Sequence, residues 1–193
     1  MLTISMLNIR VFSVGVRSIY GQKIKRLAAG ERQYTSPEEE YLLFINDRRI
    51  HVENIIKPNL EKNHIVILDR YYFSTIAYQG ALGLDPKKIK ADNEAFTPIP
   101  EFVFLIEVPP RLGIRRIEKS RGEVPNTFEK EDYLTKVDKI FKSLDENYIL
   151  RLEGAQRRSQ IHSTIINAVD DVLEHYIDRP EQCLLFENQP KYK

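Results

Sequence analysis

The stretch His64-Ile65-Val66-Ile67-Leu68-Asp69-Arg70-Tyr71-Tyr72-Phe73-Ser74-Thr75-Ile76-Ala77-Tyr78-Gln79-Gly80 decides how the chain is read. It opens with an apolar, β-branched run, Ile65 to Leu68, flanked by polar residues. That pattern predicts a strand buried on both faces, as in a parallel sheet. The run stops at Asp69-Arg70. Ligands of open α/β sheets sit beyond the carboxyl ends of the strands. An Arg fixed there suits a phosphate, because guanidinium offers planar, permanently charged, bidentate donors. An Asp-Arg pair at a strand end is equally compatible with a structural ion pair, so the polar and aromatic residues that follow carry the discrimination.

Outward from this stretch, strand and helix signals alternate. Ile9 to Val14 reads as a strand and Gly15 to Ser18 as a turn. Gly21 to Ala29 reads as a helix with Ile24 and Leu27 on one face, stopped by Gly30. Ser36-Pro37-Glu38-Glu39 has the makings of a capped helix start, with Ser36 as N-cap and Glu39 closing a capping box. That helix runs through Tyr41, Leu42, Phe44 and Ile45 towards Ile56, and Pro58 should end or kink it. Phe44 and Arg48 are four apart and share a face. A ring with an Arg one turn later can stack on a base and donate to its carbonyl edge, or can be a core ring beside a surface cation. Downstream, Asp85-Pro86 to Phe96 reads as a helix and Phe102 to Ile106 as a second buried strand. Arg111 to Lys119 reads as a basic helix. Arg115, Arg116, Lys119 and Arg121 precede Gly122, the composition of a lid over phosphates, or of a solvated basic face. Phe128 to Leu144 has helical apolar spacing, Tyr148 to Leu152 reads as an edge strand, and Ser159 to Ile177 as a helix with an apolar stripe. The fold class is therefore α/β with a mainly parallel sheet.

Composition narrows the function classes. At 193 residues the chain fits a single domain, 1–193, with a core of useful size. A formal net charge of +1 gives no electrostatic case for nucleic acid or a membrane surface. One cysteine, Cys183, excludes an internal disulfide framework and a Cys-based zinc site. That usage fits a reducing, cytoplasmic setting. No apolar run approaches the roughly 20 residues of a membrane span, and Met1 to Asn8 does not read as a secretory signal.

The string Asp69-Arg70-Tyr71, Ser74-Thr75 and Ala77-Tyr78-Gln79-Gly80 resembles the signature of thymidylate kinases, most closely their bacterial and archaeal branch. The resemblance covers about Ile9 to Phe141 and implies a P-loop-kinase-like three-layer fold. It implies transfer of a phosphoryl group from ATP, with Mg2+, to dTMP. Leu42-Leu43-Phe44-Ile45-Asn46-Asp47-Arg48 resembles the family's base-binding helix, with Phe44 stacking on thymine and Arg48 bonding its carbonyl. By the same likeness Arg70 holds the dTMP phosphate and Asp69 organises the magnesium side, both as catalytic positions. Ser74 belongs to the substrate motif, Thr75 and Gln79 face the base, and Tyr78 sits by the sugar. Arg116 and Arg121 resemble lid arginines that reach the ATP phosphates, within a lid at about residues 111–128. A C-terminal tail, 179–193, carries no pattern. Family likeness also implies a homodimer.

Two departures shape the expectation. The family's opening strand, phosphate loop Gly-x-x-x-x-Gly-Lys-Ser/Thr and helix have no counterpart before Ile9, and its Arg-Glu-Pro segment, expected near Ser13-Val14-Gly15, does not survive there. Protein ligands for the metal are missing with them. The expectation is that dTMP binds and ATP binds weakly. Three readings follow: a dTMP kinase truncated at its start, a non-catalytic paralogue that binds dTMP or forms dimers, or a relative in fold whose monophosphate is another, such as dUMP or UMP.

Overall fold

The computed structural model describes residues 9–13, 18–28, 35–121 and 131–178. It divides into two compact units: residues 3–99 with 132–143, and residues 100–131 with 144–193 and the first two residues.

In the first unit, β1 (Ile9–Ser13) pairs in parallel with β2 (Ile65–Asp69), with Val11 opposite Ile67 and Ser13 opposite Asp69. The run read as doubly buried is not: Ile67 is 48 % exposed and its partner Val11 is 69 % exposed. These two face the same way across the ladder. Among the described residues β2 pairs only with β1, and one side of this ribbon stays open. Around it stand α1 (Ile19–Ala28), α2 (Pro37–His51), α3 (Lys57–Leu60), α4 (Tyr72–Ala81) and α5 (Pro86–Glu94). The helix α7 (Glu131–Lys142) joins them from residue 132 onward.

Helix α2 begins as its sequence dictates. Ser36 accepts from the Glu39 N–H, and Glu39 accepts from the Ser36 N–H, closing a capping box. Three acidic residues in the first turn complement the helix dipole. Pro58 neither ends the helix nor stands inside a regular one. The chain widens into a π turn, Val52–Ile56, in which the Lys57 N–H reaches the Val52 carbonyl, and then resumes as α3. The wider turn removes the demand for an N–H at Pro58 and relieves its ring from the preceding carbonyl. Asp85 caps α5 by accepting from the Lys87 N–H at 2.9 Å. The core joins Tyr41, Ile45, Val52 and Ile56 with Tyr72, Phe73, Ile76, Ala77, Ile89 and Val137.

The second unit holds β3 (Val103–Glu107), α6 (Pro110–Arg121), β4 (Ile149–Glu153) and α8 (Arg158–Asp178). Strands β3 and β4 are parallel, with Glu107 opposite Glu153. Arg151 forms an ion pair with Glu107 and donates to the Leu144 carbonyl, fastening the start of β4 to the chain before it. The α8 stripe is half-buried rather than buried at Ile161, Ile165 and Val169. Both sheets are parallel, so the α/β architecture with parallel pairing read from sequence is the one observed. The turn at 14–17, the glycine stop at Gly30 and the tail beyond residue 178 lie outside the described residues.

Candidate functional site

The site forms where α2, the end of β2 and α4 meet in the first unit. Helix α4 was not recognised as a helix from its sequence, although its pattern is helical. Tyr72, Phe73, Ile76 and Ala77 form one buried face, and Thr75 and Gln79 fall one turn apart beside it.

Arg48 is the centre of this arrangement. It is 2 % exposed, which rules out the surface cation that its charge alone suggested. Its Nη2 donates to Thr75 Oγ1 at 2.8 Å. Its guanidinium lies 5.2 Å over the Tyr71 ring. Burial pushes Arg48 down to about 10, opposed by Tyr71 and Asp47. The Tyr71 phenol is in turn held above its ordinary range, chiefly by burial, and its hydroxyl donates to the Pro98 carbonyl at 3.2 Å. Among the described residues, Arg48 Nε and Nη1 have no protein partner. Buried donors of this kind are rare unless something else satisfies them.

One turn along α4, Gln79 is 1 % exposed. Its Nε2 donates to Glu40 Oε1 at 3.2 Å, while its Oε1 has no protein partner among the described residues. The two polar pairs, Arg48 with Thr75 and Glu40 with Gln79, run in opposite order along α2 and α4. On α2 their anchors are eight residues, about 12 Å, apart. Phe44 lies midway between them on the same face and is half-buried. The neighbouring Asp47 is also buried, and Ser18 Oγ donates to its Oδ1 at 2.5 Å.

At the tip of β2, Asp69 and Arg70 are both exposed. Arg70 has φ +65°, a left-handed conformation that side-chain-bearing residues seldom adopt. Its guanidinium lies 5.4 Å over the Tyr78 ring. That ring is set edge-on to Tyr133 at 6.2 Å and Phe141 at 6.5 Å, and the Tyr133 hydroxyl donates to the Tyr78 carbonyl at 2.8 Å. Ser74 is half-buried in the first turn of α4, where its N–H donates to the Tyr71 carbonyl at 3.2 Å. Among the described residues, helices α2 and α4 thus present the Arg48 Nε and Nη1 donors and the Gln79 Oε1 and Asp47 Oδ2 acceptors without protein partners, together with the Phe44 ring and a cation at the adjoining strand end.

Comparison of the sequence with known proteins finds a family. The thymidylate kinase family model matches residues 13–165. The chain belongs to the thymidylate kinase family. The thymidylate kinase of Desulfotalea psychrophila is 43 % identical over 155 residues, covering 80 % of this chain and 76 % of that protein. A thymidylate kinase of Brachyspira hyodysenteriae is 34 % identical over 168 residues, covering 82 % and 81 %. A probable thymidylate kinase of Archaeoglobus fulgidus is 42 % identical over 157 residues, covering 81 % and 76 %.

The remaining candidate residues of this thymidylate kinase family member belong to the second unit. Arg116 on α6 donates from Nη1 to the Gly154 carbonyl at 3.0 Å, at the end of β4. With Gly154, Gln156, Arg158 and three isoleucines it lines a hollow of about 610 Å³. The side chain of Arg121 and the lid residues 122–128 lie outside the described residues. Among the described residues, no three His, Cys, Asp or Glu side chains gather as a metal cluster, and no helix is long and apolar enough to cross a membrane.

Sequence reasoning missed Tyr71 as the support under Arg48 and Glu40 as the partner of Gln79. The signal for Glu40 was present: residues 40, 44 and 48 are spaced by four and share one helical face.

Proposed function

We propose that this chain binds dTMP between α2 and α4, and that its activity is that of its family, phosphorylation of dTMP to dTDP with ATP and Mg2+. One observation carries the reading. Arg48 Nε and Nη1 and Gln79 Oε1 are buried and lack protein partners, and they stand on either side of Phe44. Thymine offers what they lack: a carbonyl that accepts from Arg48 and an N3–H that donates to Gln79, with a flat face for Phe44. Thr75 and Tyr71 hold the Arg48 plane for this contact. Arg70 at the end of β2 suits the 5′-phosphate, and the Tyr78 ring beneath its guanidinium is the neighbour for the sugar.

Phosphoryl transfer requires positioning and charge neutralisation more than covalent chemistry. Arg70 would fix the acceptor phosphate. Asp69 beside it fits the metal, because Mg2+ is ordinarily held by one or two carboxylates together with the substrate phosphates. The ion supplies neutralisation of charge building on the transferred group. Arg116 and Arg158, with an apolar floor of isoleucines, make the 610 Å³ hollow a fitting place for ATP. Arg121 would add a lid cation.

A second reading is a protein that binds dTMP, or a second copy of itself, without catalysis. Calorimetry with each nucleotide and a coupled assay for dTDP formation separate the readings. The expected result is clear dTMP binding with weak ATP binding. Turnover favours the kinase, and dTMP binding without turnover favours the second reading. Absence of dTMP binding removes both.

A further inference from the structure

Resting on the base-binding reading above, we infer that Glu40 is a positioning residue that sets which end of the Gln79 carboxamide meets the base, and so decides between pyrimidines. The amide of a glutamine can rotate by half a turn and exchange its donor for its acceptor with little change in shape. Something must fix it. Glu40 is 2 % exposed, and its Oε1 accepts from Gln79 Nε2 at 3.2 Å. A carboxylate offers only acceptors, so it selects the orientation in which nitrogen points at α2. The oxygen is then the end left over, and it is the buried atom without a protein partner.

The consequence is chemical discrimination. An acceptor at this point matches the N3–H of thymine or uracil. Cytosine carries a bare acceptor nitrogen at the same position and would face Gln79 Oε1 with like polarity. To bind cytosine well, Gln79 would have to turn over and aim its oxygen at the Glu40 carboxylate. Glu40 therefore acts against the wrong base without touching either one.

The test compares dTMP and dCMP binding by calorimetry for the full chain and for Glu40→Gln, with thermal melting as a check on folding. In Glu40→Gln, residue 40 can donate or accept, and both orientations of Gln79 become comparable. The expected result is a change in dTMP affinity of about twofold, tighter dCMP binding, and a dTMP-to-dCMP ratio lowered about tenfold. A purely structural role would weaken both ligands together, and that outcome, or an unchanged ratio, overturns the inference. Should Glu40→Gln fail to fold, the exchanged pair Glu40→Gln with Gln79→Glu is read instead. There the residue at 79 can only accept, so dTMP preference is retained, and its loss overturns the inference. A wild-type chain with no preference for dTMP overturns the base-binding reading itself.

Discussion

Arg70 holds its guanidinium 5.4 Å over the ring of Tyr78 from a backbone position with φ +65°. The next residue, Tyr71, carries its own ring under Arg48 at 5.2 Å. Cation and ring thus alternate from α2 to the end of β2. The left-handed turn at Arg70 is what separates the two rings. A side-chain-bearing residue pays about 1 kcal/mol or more for that conformation, and such strain gathers at functional sites. Replacing Arg70 should therefore move stability and binding in opposite directions. Arg70→Gly is expected to raise the denaturation midpoint by an amount worth up to about 1 kcal/mol and to abolish dTMP binding. Arg121→Ala is expected to leave dTMP binding nearly intact. Urea denaturation and calorimetry on the two variants check this, and dTMP binding by Arg70→Gly at wild-type strength refutes the phosphate assignment.

Thr75 accepts a hydrogen bond from the buried Arg48 guanidinium. Thr75→Val keeps the shape and removes the acceptor. A third Arg48 donor is then left in a buried setting, at a cost of about 1–3 kcal/mol. Thr75→Ser keeps the hydroxyl and should lose much less. The same pair should rank alike in dTMP affinity, because the bond also fixes the Arg48 plane. Equal stability of the Val and Ser variants in urea denaturation contradicts this account of Arg48.

The strands and most helices were legible because their signals are local. Ser36 and Glu39 capped α2 in sequence and in structure alike, and the apolar runs at 65–68 and 102–106 gave the parallel strands β2 and β3. The exposure of Ile67 was not legible, since it depends on what covers the ladder and not on the strand itself. The response to Pro58 was ambiguous for a similar reason. A proline states which bond cannot form, and neighbouring packing selects whether the helix stops, bends or widens. Within the candidate site, the family resemblance pointed to Arg48, Thr75 and Gln79. It gave no account of Tyr71, whose role arises only when the turn at Arg70 swings its ring beneath another helix's arginine.

Gly154 closes the end of β4 against the backbone of β3. Its N–H donates to the Glu107 carbonyl at 2.7 Å. A Cβ built there would lie 2.8 Å from that same carbonyl oxygen and press on Val108. Backbone cannot yield as a flexible side chain can, so Gly154→Ala is expected to destabilise by about 1–3 kcal/mol. Gly80→Ala offers the contrast, because its new methyl would meet the far ends of Ile140 and Pro86 at 2.9 and 3.0 Å, and Ile140 can rotate away. Thermal melting should show the larger loss for Gly154→Ala. The reverse order counts against the close approach at β3. Since Arg116 donates to the Gly154 carbonyl, the Gly154 variant should also weaken any ATP binding more than dTMP binding.

His51 ends α2 in a buried position, one turn from Asp47 and three residues from Arg48. Burial holds it below its ordinary 6.5; the Arg48 charge adds to this, and Asp47 opposes it. The unfolded chain takes up the proton near 6.5 while the folded chain resists it. Below that pH the unfolded state binds more protons, so stability is fully present above about 6.5 and declines as pH falls towards the folded value. His51→Gln, uncharged at every pH, should flatten that part of the profile. Urea midpoints at about pH 7.5 and 5.5 measure the slope for both proteins, and His64, His162 and His175 are common to the two, so the difference isolates His51. An identical slope in His51→Gln would show that the buried imidazole takes up its proton as readily in the fold as in the free chain.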